Sequence, residues 1–211
     1  MLEHLRGYWT KLITPVAKLL MKAGITPDMT TWAGAVISIA TSLIFFPNGW
    51  LWQGAIVVTI FVLADSLDGT MARLTNQASK WGAFLDSTLD RITDGFVFGA
   101  LAIYYVSTGQ DRLWFAIGIF ALIFGQVTSY AKARGESLGY EVKGGLAGRA
   151  DRLLVGMLGA FLTGLGVKWA LPAAFVILLV FGMITVAQRM WIVKRAYTAE
   201  KAETAEGDGG Q

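Results

Sequence analysis

The chain has 211 residues, of which 55% are hydrophobic and only 16% charged, with a mean hydropathy of +0.53. Soluble domains carry about 25% charged residues, so the composition excludes an ordinary water-soluble fold and points to a bilayer. The formal net charge of +3 comes without a stacking or groove-reading pattern, so no nucleic-acid partner is expected, and the absence of cysteine excludes disulfides and thiolate metal sites.

From Leu2 to Met21 the apolar residues Leu2, Leu5, Trp9, Leu12, Val16 and Leu19 recur at helical spacing, with Lys11, Lys18 and Lys22 off that stripe. This predicts an amphipathic helix over residues 1–23 that lies in the membrane interface, packs on a bundle, or does both. Thr26-Pro27-Asp28 reads as a turn into the next element, because proline disfavours helix in the residue before it.

Six apolar segments follow, approximately Thr30 to Phe46, Leu51 to Arg73, Gly82 to Val106, Leu113 to Lys132, Leu153 to Val167 and Leu171 to Ile192. About 20 apolar residues are needed for a helix to cross the hydrocarbon core. The expected fold is therefore all-α and polytopic, with six transmembrane helices. The third segment carries Asp86, Asp90, Arg91 and Asp94 and the fifth is short and glycine-rich, so both need shelter within a bundle.

Positive charge concentrates before the first segment, between the second and third, between the fourth and fifth, and after the sixth, whereas the other connections offer only Arg112 and Lys168. That bias predicts both termini in the cytoplasm. No cleavable signal peptide is evident. Residues 1–197 read as one integral membrane domain, and residues 198–211, rich in Ala, Glu, Thr and Gly, as a disordered tail. Gly95 and Gly99 form a small-residue pair that permits close helix contact and suggests a homodimer face.

Four acidic residues carry the chemistry. Asp65 and Asp68 close the second segment, and Asp86 and Asp90 open the third, each pair one helical turn apart and so on one face. Four carboxylates converging in a low dielectric repel unless cations compensate, which argues for bound divalent metal. All-oxygen ligands favour Mg²⁺, Mn²⁺ or Ca²⁺ over zinc. Gly69 allows close backbone approach, and Arg73 can hold a phosphate. Metals with phosphate ligands suit displacement at phosphorus. The bland alternative is that the aspartates form helix-end salt bridges with Arg73, Arg91 and nearby lysines.

The stretch Asp65-Ser-Leu-Asp68-Gly69-Thr-Met-Ala72-Arg73, eight further residues, then Gly82-Ala-Phe-Leu-Asp86-Ser-Thr-Leu-Asp90, fills every position of D-x-x-D-G-x-x-A-R-x8-G-x3-D-x3-D. In this it resembles the CDP-alcohol phosphotransferase family. The resemblance implies an enzyme in which Asp65, Asp68, Asp86 and Asp90 bind two metal ions, Mg²⁺ or Mn²⁺, and Asp90 also deprotonates the acceptor hydroxyl. It implies that Gly69, Ala72 and Arg73 touch the CDP moiety of a CDP-activated lipid such as CDP-diacylglycerol, and that CMP leaves. Pro27, Asp28 and Thr31 would form part of the nucleotide site, or simply cap the first span.

The acceptor alcohol is not set by that signature. Lys132 and Arg134 end the fourth segment and Arg152 opens the fifth, with Ser129 beside the first pair and Arg189 on the sixth. A cationic pocket facing the metal site fits an acceptor that bears its own phosphate; the competing explanation is positive-inside bias alone. The run Ser-Tyr-x-Lys-Ala-Arg-x-Glu-x-Leu-Gly and the later Gly-x-x-x-Arg resemble the prokaryotic family members that use inositol phosphate to make phosphatidylinositol phosphate. Glycerol phosphate or another small alcohol is the alternative acceptor. A rival of another class is a cation-coupled transporter, which would place its acids near mid-membrane and often show inverted repeats. Here the acids cluster at the predicted cytoplasmic helix ends, a placement that suits a multi-pass cell-membrane enzyme working from the cytoplasmic side.

Overall fold

The computed structural model describes residues 13–64, 66–74, 79–109, 111–146 and 148–208, the side chains of residues 66, 68 and 203–208 excepted. The described residues contain helices and no strand. A first helix occupies residues 13–22 (α1). It is followed by α2 (Pro27–Phe45), α3 (Leu51–Ala64), α4 (Ser66–Leu74), α5 (Lys80–Ser107), α6 (Arg112–Ser137), α7 (Arg149–Gly164) and α8 (Ala170–Asp208).

The helices begin where the sequence supplies caps. Thr26 Oγ1 accepts the Met29 N–H at 3.2 Å with Pro27 at the first helical position of α2, and Ser79 Oγ accepts the Gly82 N–H at 2.9 Å at the start of α5. Asp111 does the same for α6 through the Leu113 N–H at 2.8 Å. Such caps contribute about 1 kcal/mol each. They fix where Pro27, Asp28 and Thr31 sit along α2 and where Gly82, Asp86 and Asp90 sit along α5.

Each of the six apolar segments coincides with a helix or helix pair. Among the described residues four stretches are long and apolar enough to cross a membrane: Pro27–Phe45, Leu51–Leu74, Arg112–Ser137 and Ala170–Ala202. The other two differ for physical reasons already visible in the sequence. Helix α5 is long enough but carries Asp86, Asp90, Arg91 and Asp94, and α7 has only 16 residues.

Helix α2 is inside out by the standards of a soluble protein. Its buried face is Thr31, Ala35, Ser38, Thr41 and Ser42, while Trp32, Val36, Ile37, Leu43 and Ile44 point outward. Small and hydroxyl residues let helices approach closely, and in lipid large apolar side chains have no reason to hide. Ser42 Oγ satisfies itself on the Ser38 carbonyl at 2.7 Å, so its burial leaves no orphan donor.

The interior apolar core joins Phe46, Leu51 and Val58 to Val97, Leu101 and Tyr105 of α5 and to Phe175 of α8. The glycines of α7 make room for it. A Cβ on Gly156 would lie 2.6 Å from Phe98, on Gly159 2.7 Å from Ala174, and on Gly164 2.5 Å from the Trp52 backbone nitrogen. The short fifth segment is thus a tightly packed inner helix against α3 and α8.

In α1 the face packed on the bundle is Ile13 and Ala17, against Leu67 and Met71 of α4, whereas Val16 and Leu19 of the expected stripe are exposed, as an interfacial face requires. The remainder of that stripe, Leu2 to Leu12, lies outside the described residues. Helix α8 continues to Asp208, through residues that composition assigned to a disordered tail. Ala, Glu and Lys are good helix formers, and extending an existing helix avoids the cost of nucleation.

Candidate active site

The start of α2, the middle of α4 and the start of α5 enclose a cavity of about 520 Å³. Thr26, Pro27, Asp28 and Thr31 line it from α2, Gly69, Ala72 and Arg73 from α4, and Ser79, Gly82, Ala83 and Asp86 from the opening of α5. Eight of the residues singled out in the sequence, from elements distant along the chain, therefore share one concavity. Its glycines are cradles. A Cβ on Gly69 would meet no protein atom within 4 Å, and one on Gly82 would stand 3.3 Å from Ser79 Oγ and 3.9 Å from Asp28 Oδ1.

Two polar contacts organise the rim. The Trp81 indole N–H donates to Asp28 Oδ2 at 3.1 Å, tying α5 to the start of α2, and the Trp81 ring lies 6.0 Å from that of Phe84. Arg73 Nη2 donates to Thr70 Oγ1 at 3.1 Å, one turn back on α4, and its guanidinium stands at the cavity wall.

Asp90 follows Asp86 by one turn. Its Oδ1 is 2.8 Å from Arg149 Nη1 and its Oδ2 3.6 Å from Arg91 Nη1. Another turn on, buried Asp94 accepts from Arg149 Nε at 3.2 Å and lies 3.4 Å from Arg152 Nη2. Three guanidinium groups thus face two carboxylates, which compensates most of the charge in a poorly solvated place. Asp65 lies outside the described residues, as does the side chain of Asp68. Among the described residues no three His, Cys, Asp or Glu side chains converge as a metal site. The two described members of the expected set, Asp86 and Asp90, share one face of α5 and supply hard oxygen donors, and Gly69 lines the same cavity as Asp86. That donor chemistry fits a hard divalent cation with phosphate ligands.

The expected acceptor residues divide into two groups. Arg152 is buried and Nη1 donates to Thr128 Oγ1 at 3.1 Å, while Arg189 donates to the Thr128 carbonyl and, at 3.3 Å, to the Gly144 carbonyl. Both converge beside half-buried Ser129. Lys132 and Arg134, in contrast, are exposed and locally paired, Lys132 with Glu136 at 3.7 Å and Arg134 with Ser137 Oγ at 3.4 Å. Gly125 leaves space for the Arg152 guanidinium, since a Cβ there would be 3.4 Å from Nε. Beyond α6 the loop is held on α8 by Leu146 N–H to Thr185 Oγ1 at 3.2 Å and by Tyr140 to Glu200 at 2.7 Å. The bond to the Glu200 carboxylate raises the Tyr140 phenol above its ordinary pKa.

Four residues of this arrangement escaped the sequence reading as site residues: Trp81, Asp94, Thr128 and Arg149. Asp94 carried a signal, because it extends the four-residue spacing of Asp86 and Asp90. Arg149 lies three residues before Arg152, on the same helical face. Thr128 and Trp81 offered no comparable pattern.

The pattern of the CDP-alcohol phosphatidyltransferase family matches residues 24–138. The chain is similar to the phosphatidylinositol phosphate synthase of Cutibacterium acnes, with 48% identity covering 93% of this chain and 99% of that protein. It is similar to the protein of the same name from Streptomyces avermitilis, with 41% identity covering 99% and 88%. Among solved structures, Mycobacterium tuberculosis phosphatidylinositol phosphate synthase with CDP-DAG bound superposes with a TM-score of 0.83 at 39% identity, covering 87% of this chain and 94% of that one. The same enzyme in complex with manganese and citrate gives a TM-score of 0.82 at 39% identity, covering 85% and 88%.

Proposed function

We propose that this chain, which belongs to the CDP-alcohol phosphatidyltransferase family, transfers a phosphatidyl group from CDP-diacylglycerol to inositol phosphate and releases CMP. The observation that carries the reading is the cavity in which Gly69, Ala72, Arg73, Gly82 and Asp86 of the signature meet Pro27, Asp28 and Thr31. Its supporting facts are the relatives named phosphatidylinositol phosphate synthase and the related structure that holds CDP-DAG.

In this reading Asp65, Asp68, Asp86 and Asp90 hold two divalent ions, Mg²⁺ or in its place Mn²⁺. Bound there, the ions neutralise charge that develops on the diphosphate. Gly69, Ala72 and Arg73 seat the diphosphate and Asp28 and Thr31 the nucleotide. The Asp90 carboxylate takes the proton from the acceptor hydroxyl. That oxygen attacks the lipid-side phosphorus, and the bond from this phosphorus to the oxygen of CMP breaks. The phosphate already on the inositol is held by cations around Thr128, with Ser129, Arg152 and Arg189 nearest and Lys132 and Arg134 at the mouth.

Six spans with both termini cytoplasmic suit this chemistry, because they place the aspartates and the acceptor cations at the side where soluble inositol phosphate is supplied. The chain then resides in the cell membrane with its site facing the cytoplasm. Gly99, whose face is open within one chain, leaves room for a second copy.

Labelled inositol phosphate, incubated with the purified protein, Mg²⁺ and CDP-diacylglycerol, tests this. Label should enter the lipid extract in step with CMP release. Release of CMP with no label in lipid would reject inositol phosphate as acceptor.

A further inference from the structure

Asp94 stands outside the family signature, yet it is the only acidic residue among the buried polar ones described, at 3% exposure. A carboxylate so placed is costly unless paired. Each of its oxygens is taken by a different arginine: Arg149 Nε lies 3.2 Å from Oδ1 and Arg152 Nη2 3.4 Å from Oδ2. Both arginines belong to the first turn of α7. From there Arg149 reaches Asp90 Oδ1 at 2.8 Å, and Arg152 reaches Thr128 Oγ1 on α6 at 3.1 Å. One carboxylate thus links the turn that carries Asp90 to the cluster around Thr128.

We propose that Asp94 is a positioning residue for the acceptor, holding Arg149 and Arg152 one turn past Asp90 so that a phosphate-bearing alcohol presents its hydroxyl to the Asp90 carboxylate. The inference rests on the acceptor and base assigned in the preceding section. An unrestrained arginine side chain surrenders rotamer entropy when it binds, and a partner that fixes it beforehand removes that cost from acceptor binding. Guanidinium offers five N–H donors in a planar fork, so anchoring Nη1 on Thr128 and Nη2 on Asp94 leaves donor capacity for a phosphate. Charge also matters. Without Asp94 the guanidinium groups of Arg91, Arg149 and Arg152 would face Asp90 alone, and their mutual repulsion would splay α7 from α5.

A purely structural tie would weaken folding and act on both substrates alike, whereas positioning acts on the acceptor. The test is Asp94→Asn in the full chain, purified in detergent, with KM measured separately for inositol phosphate and for CDP-diacylglycerol. The KM for inositol phosphate should rise roughly tenfold or more, the equivalent of one charge-assisted hydrogen bond, with the KM for CDP-diacylglycerol unchanged. An unchanged acceptor KM, or an equal rise in both constants, overturns the inference. Should Asp94→Asn not yield folded protein, Thr128→Val removes the other anchor of Arg152 and must give the same selective rise; its absence overturns the inference equally. A wild-type chain that turns over no phosphorylated acceptor defeats the preceding reading, whereas turnover of inositol phosphate with no selective change in the variants defeats only the role of Asp94.

Discussion

The Trp81 indole N–H donates to Asp28 Oδ2 at 3.1 Å, joining two residues that are 53 positions apart in the chain. It runs from the first turn of α5 to the first turn of α2. The bond orients a carboxylate that lines the cavity, at the end where the proposed function seats the nucleotide. Trp81→Phe keeps the ring and loses the donor. The KM for CDP-diacylglycerol should rise roughly fivefold, as the loss of about 1 kcal/mol from one hydrogen bond implies, with the acceptor KM unchanged. Steady-state kinetics with each substrate varied in turn measures this.

Gly69→Ala separates ligand space from protein packing. The added methyl meets no protein atom within 4 Å, and alanine is the better helix former by up to about 1 kcal/mol. Thermal unfolding in detergent should therefore show no loss of stability. CMP release should fall by about tenfold or more, because the methyl would intrude where the proposed function seats the diphosphate.

Gly159→Ala should do the reverse. Its Cβ would lie 2.7 Å from Ala174 Cβ, 3.2 Å from the Ala170 carbonyl oxygen and 3.3 Å from Leu171 Cα, all on α8. Backbone atoms cannot swing aside, so α7 must separate from α8. A loss of about 1–3 kcal/mol is expected in the unfolding transition.

Removing divalent metal with a chelator should abolish CMP release, and adding back Mg²⁺ or Mn²⁺ should restore it. Asp86→Asn and Asp90→Asn should each require more metal for half-maximal restoration. The aspartates read as mere helix-end ion pairs would predict activity indifferent to chelation.

Much of this arrangement was legible in the sequence because it depends on local spacing. The Thr26-Pro27-Asp28 turn marks the start of α2, and the signature from Gly69 to Asp86 names residues that line the cavity. Long-range pairing was less accessible. Arg152 read as an acceptor cation, but only the packing of α7 against α5 reveals that Asp94 neutralises it. Lys132 and Arg134 carry the same charge as Arg152 and Arg189, yet local partners at Glu136 and Ser137 keep them at the surface. The apolar stripe of α1 left open whether that helix lies in the interface or packs on a bundle; Val16 and Leu19 of the stripe are exposed, while Ile13 and Ala17 make the contact with α4.

The acceptor distinguishes this activity from its alternatives within the family. Purified protein with Mg²⁺ and CDP-diacylglycerol, offered inositol phosphate, free inositol, glycerol phosphate and serine in separate reactions, should release CMP only with inositol phosphate. Equal or greater release with glycerol phosphate, or release with free inositol or serine, would contradict it.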